Sequence, residues 1–350
     1  MAPASSSRRS AAFTAGTAYR TDIEASLAHA PREHQEMPSS SVLVTRRLPS
    51  SVISKLQASA SVDLYTDGAM PPDELHARIA DKDGVVCVLT DAIDKRVIDA
   101  GQKLKIIANI AVGFDNIDIA HARSRGVVVT NTPDVLTESV ADFTWAMILS
   151  ITRRLTEGER LVRRGQWKGW ALDFMLGAGL RGKQLGLVGS GRIARAVAAR
   201  APAFGMRVAY TSRGQVAWPA AQCLSFDRLL NTSDIVSLHV PLTPETRYLI
   251  DKRALARMKR SAYLINTARG PVVDEAALAW ALKGHLLAGA ALDVYEHEPA
   301  VHPDLVQLEN VLLAPHLSSA TIETRTAMAD LAAENVLAVL GGRSPLTPVP

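Results

Sequence analysis

Three short segments near the end of the chain hold the residues best suited to chemistry: Thr267-Ala268-Arg269-Gly270, Asp293-Val294-Tyr295-Glu296-His297-Glu298-Pro299 and Pro315-His316. A guanidinium stays charged and can bind two oxygens of an anion. An imidazole can give up and recover a proton near neutral pH, and a nearby carboxylate favours its protonated form. Upstream, apolar Leu185-Gly186-Leu187-Val188 leads into Gly189-Ser190-Gly191-Arg192-Ile193-Ala194, which opens a helical pattern. In such a strand–turn–helix the first glycine permits the tight turn and the second lets the backbone approach a pyrophosphate. A small third residue, here Ala194, allows helix–strand packing, and the helix N-terminus favours the anion. An anion anchor, a proton donor, a group to tune it and a dinucleotide turn are the parts that reduction of a keto acid requires.

The elements that must position these parts form two series. Val42–Thr45, Val62–Tyr65, Val85–Leu89, Lys105–Ile110 and Val127–Val129 read as short buried strands separated by crossover helices. After Pro133, residues 134–154 form a long apolar helical stretch. A second series follows, with strands at Leu185–Val188, Arg207–Tyr210, Ile235–His239, Ala262–Ile265, Ala290–Leu292 and Val311–Leu313, and a helix at Ile193–Phe204. The pattern predicts an α/β protein of two Rossmann-like, doubly wound parallel-sheet domains with an interdomain cleft. Thr321–Leu340 reads as a closing amphipathic helix, stopped by Gly341-Gly342, and the tail beyond it, with three prolines, is expected to be loose.

Composition narrows the function classes. With 47% hydrophobic and 21% charged residues over 350 positions, the chain supports one or two packed domains. A net charge of +4 is spread among 35 acids without a basic run, which argues against nucleic acid and suits an anionic substrate and a phosphorylated cofactor. No apolar run is long enough to span a membrane. Cys87 and Cys223 form no metal or CxxC spacing, so reduced thiols in a cytoplasmic protein are expected, with no metal. Residues 1–36 differ in composition. A transit peptide, a disordered extension and an upstream start ahead of Met37 are the competing readings, with the last two favoured.

The strand after the glycine turn bears on cofactor type. A site for the unphosphorylated dinucleotide usually ends this strand with an acid, whereas here it ends Thr211-Ser212-Arg213. Ser212 can donate a hydrogen bond and Arg213 can grip a 2′-phosphate, so NADPH is the expected cofactor, with NADH possible.

Taken together these segments resemble the D-isomer-specific 2-hydroxyacid dehydrogenases. The resemblance extends upstream through Val112-Gly113-Phe114-Asp115-Asn116-Ile117-Asp118 and Thr132-Pro133-Asp134-Val135-Leu136-Thr137-Glu138, and covers roughly residues 42–340. Trp167-Lys168-Gly169-Trp170, with Phe174-Met175-Leu176-Gly177 and the Ser212-Arg213 strand end, is most similar to the glyoxylate/hydroxypyruvate reductase branch. The resemblance implies that Arg269 holds the substrate carboxylate and polarises its carbonyl, that His316 passes the proton, and that Glu298 pairs with His316. Glu296 is the rival acid, but the family pattern sets the acid just before the proline. It further implies cofactor contacts from Thr137, Gly189, Ser190, Gly191, Arg192, Ile193, Ser212, Arg213, His239, Val240, Pro241, Thr267, Ala268, Asp293, His316 and Ser318. Val112 and Gly113, with Arg269 and His316, would bind substrate. Leu48, Thr90, Trp167 and Trp170 would shape its pocket. Ser318 stands where the family often has Gly, and Asp142 where Glu is common.

On this reading residues 37–136 plus 318–345 form the substrate domain and 137–317 the dinucleotide domain. A homodimer is expected, with the apolar helix near Trp145 as its candidate surface. Within the enzyme class the alternatives are other 2-ketoacids, such as 2-ketogluconate or a phosphorylated serine precursor. Because the chain ends at Pro350, a long-form phosphoglycerate dehydrogenase is not expected. From another class, a catalytically silent, dinucleotide-sensing corepressor would keep the fold without turnover.

Overall fold

The computed structural model describes residues 40–214 and 216–350; the expected extension at 1–36 lies outside the described residues. The first parallel sheet contains β1 (Ser41–Val44), β2 (Ser61–Leu64), β3 (Gly84–Val88), β4 (Ile106–Ile110) and β5 (Val128–Thr130), in the order β2-β1-β3-β4-β5. Alternation along each strand sends side chains to opposite faces. Leu43, Val85, Cys87, Ile107 and Val129 fill one core, while Val42, Val44, Val86, Ile106 and Ala108 fill the other. Both faces are therefore covered, as parallel strands require.

The second parallel sheet contains β6 (Gln184–Val188), β7 (Arg207–Thr211), β8 (Gln222–Cys223), β9 (Ile235–Leu238), β10 (Tyr263–Asn266), β11 (Gly289–Leu292) and β12 (Val311–Leu313), in the order β12-β11-β10-β9-β6-β7-β8. β8 was not anticipated: it has two exposed residues and no apolar pattern. Strand order reverses at β1 between β2 and β3, and at β6 between β7 and β9. In open parallel sheets the crevice beyond the strand C-termini at such a reversal is where ligands bind. The two parallel sheets confirm the expected fold class.

Five helices matter for the site. They are α1 (Thr137–Thr152), α2 (Leu155–Arg163), α3 (Arg192–Arg200), α4 (Glu275–Lys283) and α5 (Ile322–Leu340). α5 returns to the first sheet, where Ala329, Ala332, Ala333 and Val336 pack on the Val42/Val44 face. The stretch expected as one helix over 134–154 is shorter. Asp134 and Arg154 take left-handed backbone angles, with φ of 69° and 54°, and these bracket α1. Pro202 similarly ends the expected 193–204 helix early, as a 3-10 turn at Ala201–Phe204.

One expectation is corrected. The tail is docked rather than loose. Asn335, fully buried on α5, accepts hydrogen bonds from the N–H groups of Leu346 and Thr347 at 2.9 and 3.1 Å and donates to Thr347 Oγ1 at 2.9 Å. Val349 N–H then donates to Val129 O at 2.9 Å, covering the exposed edge of β5. Trp145 itself does not face solvent, although Ala146 and Leu149 of the same helix do. Trp145 is 4% exposed, stacks on Phe204 at 4.4 Å between ring centroids and donates its indole N–H to Val197 O at 2.9 Å. Exposed large apolar side chains include Leu149 on α1 itself and continue just beyond it, from Leu155 and Val162 on α2 through Trp167, Trp170, Leu172, Phe174 and Leu176.

Candidate active site

Arg269 follows β10 in extended backbone, and β10 is fixed between β9 and β11. Asn266 holds the turn, donating to Arg269 O at 2.9 Å and accepting from Ala268 N–H at 3.0 Å. The guanidinium reaches across to the loop after β4. Its Nε donates to Asp115 Oδ1 at 3.0 Å, and its Nη1 donates to Ala268 O at 2.9 Å. Of the five N–H bonds of a guanidinium, these two contacts leave three, spread over both terminal nitrogens, enough to grip a carboxylate with two bonds. Gly113 lies directly beneath; a Cβ there would collide with the guanidinium. The carbonyls of Val112 and Gly113 are turned to Asn131 and Asn109, which donate to them at 2.8 and 2.9 Å.

His316 follows β12 and stands in left-handed backbone at φ 54°. That conformation costs a non-glycine residue about 1–2 kcal/mol, although His adopts it more readily than most. Asp293, fully buried at the end of β11, offsets the cost. Its carboxylate accepts from Leu317 N–H at 2.6 Å and Ser318 N–H at 2.9 Å, and its carbonyl accepts from His316 N–H at 2.9 Å. These three bonds hold His316 and the two residues after it in place. Burial pushes the Asp293 carboxyl above its ordinary value, against the pull of those two N–H donors.

Glu298 Oε2 lies 2.9 Å from His316 Nδ1, and Tyr295 N–H donates to Glu298 Oε1 at 3.0 Å. Burial pushes the Glu298 carboxyl up. The hydrogen bond and charge of His316, with Tyr295 N–H and the Arg269 charge, outweigh burial and hold it below the ordinary carboxylate value. Glu298 thus stays ionised at neutral pH, and its contribution to stability is lost only as pH falls through that depressed value. Glu296, the rival acid, turns the other way: its carboxylate accepts from the Tyr248 hydroxyl.

On the cofactor side, Gly189 has φ 112°, and a Cβ there would strike the His239 carbonyl, so only glycine fits between β6 and β9. Gly191 faces open space, and no side chain caps α3. An open glycine turn at an uncapped helix N-terminus fits a pyrophosphate. Arg192 pairs with Asp134 at 2.7 Å, and Ser190 O accepts from Arg195 at 3.1 Å. His239 accompanies Val240 and Pro241 beyond β9, its Nε2 2.9 Å from Ser237 Oγ. Part of the residue remains accessible, yet burial pushes its pKa to about 4, so the ring is neutral at neutral pH. Thr267 Oγ1 lies 3.2 Å from Thr144 Oγ1 on α1, the helix that Thr137 begins. Ser318 O accepts from Ser139 of the same helix at 2.8 Å.

Not every expected residue joins this group. Ser212 donates to Gly214 O at 2.7 Å within its own turn, and Arg213 lies 3.8 Å from Glu245. Leu48 packs, partly buried, against one apolar core of the first sheet, Thr90 accepts from Arg46 at 2.9 Å, and Trp167 and Trp170 are open to solvent. Asp115 was visible in its motif without a role, because its partner lies 154 residues away. Glu275, buried at the start of α4, carries no local signal beyond being an acid in a first helical turn.

The chain has clear relatives among known proteins. Residues 145–318 match the family model described as D-isomer specific 2-hydroxyacid dehydrogenase, NAD binding domain. The chain is 49% identical over 314 residues to a glyoxylate reductase of Thermofilum pendens, covering 87% of this chain and 92% of that relative. It superposes on the crystal structure of a Thermus thermophilus protein with a TM-score of 0.85 and 46% identity, covering 89% of this chain and 100% of the other. An NADPH-dependent glyoxylate/hydroxypyruvate reductase from Sinorhizobium meliloti, solved with NADP and malonate, superposes with a TM-score of 0.81 at 35% identity, covering 89% of this chain and 96% of the other.

Proposed function

The chain belongs to the D-isomer-specific 2-hydroxyacid dehydrogenase family and is a nicotinamide-dependent oxidoreductase, and from that premise we propose that it reduces glyoxylate and hydroxypyruvate with NADPH, giving the D-hydroxy acid where the product is chiral. The observation that carries this reading is the His316–Glu298 pair at 2.9 Å, beside an Arg269 fork that still has donors free. The bound dinucleotide supplies the hydride. Arg269 binds the substrate carboxylate and polarises its carbonyl, and the main-chain N–H groups of Val112 and Gly113 assist. His316 gives its proton to the carbonyl oxygen and recovers it in oxidation, while Glu298 holds the imidazolium. Residues 37–136 with 318–345 serve the substrate, and residues 137–317 hold the cofactor through Gly189, Gly191 and the start of α3. The relatives named glyoxylate reductase support the substrate class. Initial rates on a panel of 2-ketoacids, with each dinucleotide, test the proposal; glyoxylate and hydroxypyruvate are expected to lead, and a clear preference for 2-ketogluconate or a phosphorylated acid would redirect it.

Neutralising Glu298 gives a pH test. Glu298→Gln removes the carboxylate charge that faces the proton donor at 2.9 Å, and reduction needs that proton. The reduction optimum is therefore expected to move to more acidic pH; an unmoved kcat profile would argue against the pair.

Cofactor preference gives another. Arg213 is proposed to grip the 2′-phosphate, and one charge-assisted contact is worth about 1.5–3 kcal/mol. Arg213→Ala is thus expected to lower the NADPH-to-NADH ratio of kcat/KM by about 10- to 100-fold. A wild-type preference for NADH would sink this assignment.

We further propose a cytoplasmic homodimer that covers the exposed apolar side chains between Leu155 and Leu176, for which sedimentation supplies the test. No helix among the described residues is long and apolar enough to cross a membrane.

A further inference from the structure

Glu275 is a buried carboxylate, 5% exposed, that none of the chemistry above uses. Its Oε1 accepts from Glu296 N–H at 2.6 Å and its Oε2 from His302 N–H at 3.1 Å. Those two amides bracket the tight turn that carries Glu298, in which Ala300 N–H donates to His297 O at 2.8 Å. The turn belongs to neither sheet nor helix, so its position depends on such side-chain anchors. Taking a charge out of water costs several kcal/mol. Here two main-chain donors and the positive end of α4 offset that cost. A carboxylate offers one oxygen to each amide, whereas the isosteric amide has one accepting atom and presents donors at the other. Glu275 also follows Arg269 closely along the chain, past the short turn Gly270–Val272. At Gly270 a Cβ would collide with the main chain of Tyr295 and Glu296. One stretch of backbone thus carries the anion anchor, packs against the Glu298 turn and clamps that turn at both ends.

We propose that Glu275 is a positioning residue for proton transfer, whose carboxylate clamps the turn so that Glu298 stays against His316. The inference rests on the reading of Glu298 and His316 as the proton-transfer pair.

The test compares Glu275→Gln, Glu298→Gln and the double variant for kcat against pH in reduction, ketoacid KM, NADPH affinity and thermal midpoint. A misplacement of about 1 Å can cost about 100-fold. Glu275→Gln is therefore expected to lower kcat by about 10- to 100-fold and to move the reduction optimum to more acidic pH, in the direction of Glu298→Gln. NADPH affinity should hold. The double variant should show no larger pH shift than Glu298→Gln alone, as coupled sites do. Should Glu275→Gln not fold, Glu275→Asp keeps the charge but is too short to reach both amides, and the same shift is expected of it. A lowered thermal midpoint with an unmoved pH profile, or fully additive shifts in the double variant, would overturn the proposal. If Glu298→Gln itself leaves the profile unmoved, the proton-transfer pair fails and the clamp fails with it; if only the Glu275 variants leave it unmoved, the clamp alone fails.

Discussion

Arg269→Met is expected to lower kcat/KM for glyoxylate by about three orders of magnitude while leaving NADPH binding intact. The substitution removes the fork that would hold the substrate carboxylate and, with it, the positive charge beside the reacting carbonyl. Loss of a single donor to developing charge already costs about 100- to 1,000-fold, and Arg269 has N–H bonds free on two nitrogens. Arg269→Lys should rescue little, because an ammonium is a point charge without the planar fork. Asp115 is left without its partner, but it sits partly in solvent, with 32% of its side chain exposed. A pair of that kind contributes only about 0–1 kcal/mol to stability, so the variant should stay folded. Steady-state kinetics with a thermal melt check the prediction: a loss confined to the melting temperature would give Arg269 a structural role instead.

His316→Gln should have an effect of comparable size, a fall of about 100- to 10,000-fold in kcat, the usual contribution of a positioned acid. The two substitutions should differ in character. Arg269→Met acts on substrate capture as well as turnover, whereas His316→Gln removes the proton donor and should leave the ketoacid KM within a small factor. Glutamine keeps the size and a hydrogen-bonding head, and Asp293 still clamps the loop through Leu317 and Ser318, so the backbone should persist. Single-turnover measurement of nicotinamide oxidation checks this. An unchanged rate of hydride transfer would require another donor.

Much of this arrangement is legible before any coordinates, because its parts obey local rules. The apolar strands announce two parallel sheets, and Gly189 and Gly191 announce a turn between strand and helix. Arg269 and His316 each fall just beyond the end of a strand, and the fold brings Glu298, on the turn after β11, against His316. What was hidden depends on long-range partners. Asn335 looks like a polar residue on the solvent side of a helix, yet it is buried and captures the proline-rich tail. Trp145 looks like an interface residue until Phe204 is found stacked against it. Asp115 acquires meaning only from Arg269, and Glu275 only from two amides more than twenty positions further on. Hydrophobic periodicity reports which face of an element is buried, but not what covers it.

The central claim is a reduction in which the hydride is delivered to one face of a 2-ketoacid held by Arg269. Its most direct test is hydroxypyruvate with NADPH and the purified chain, following nicotinamide oxidation and determining the chirality of the glycerate formed. The account predicts sustained turnover and D-glycerate. L-glycerate, or tight dinucleotide binding without turnover of any 2-ketoacid, would contradict it.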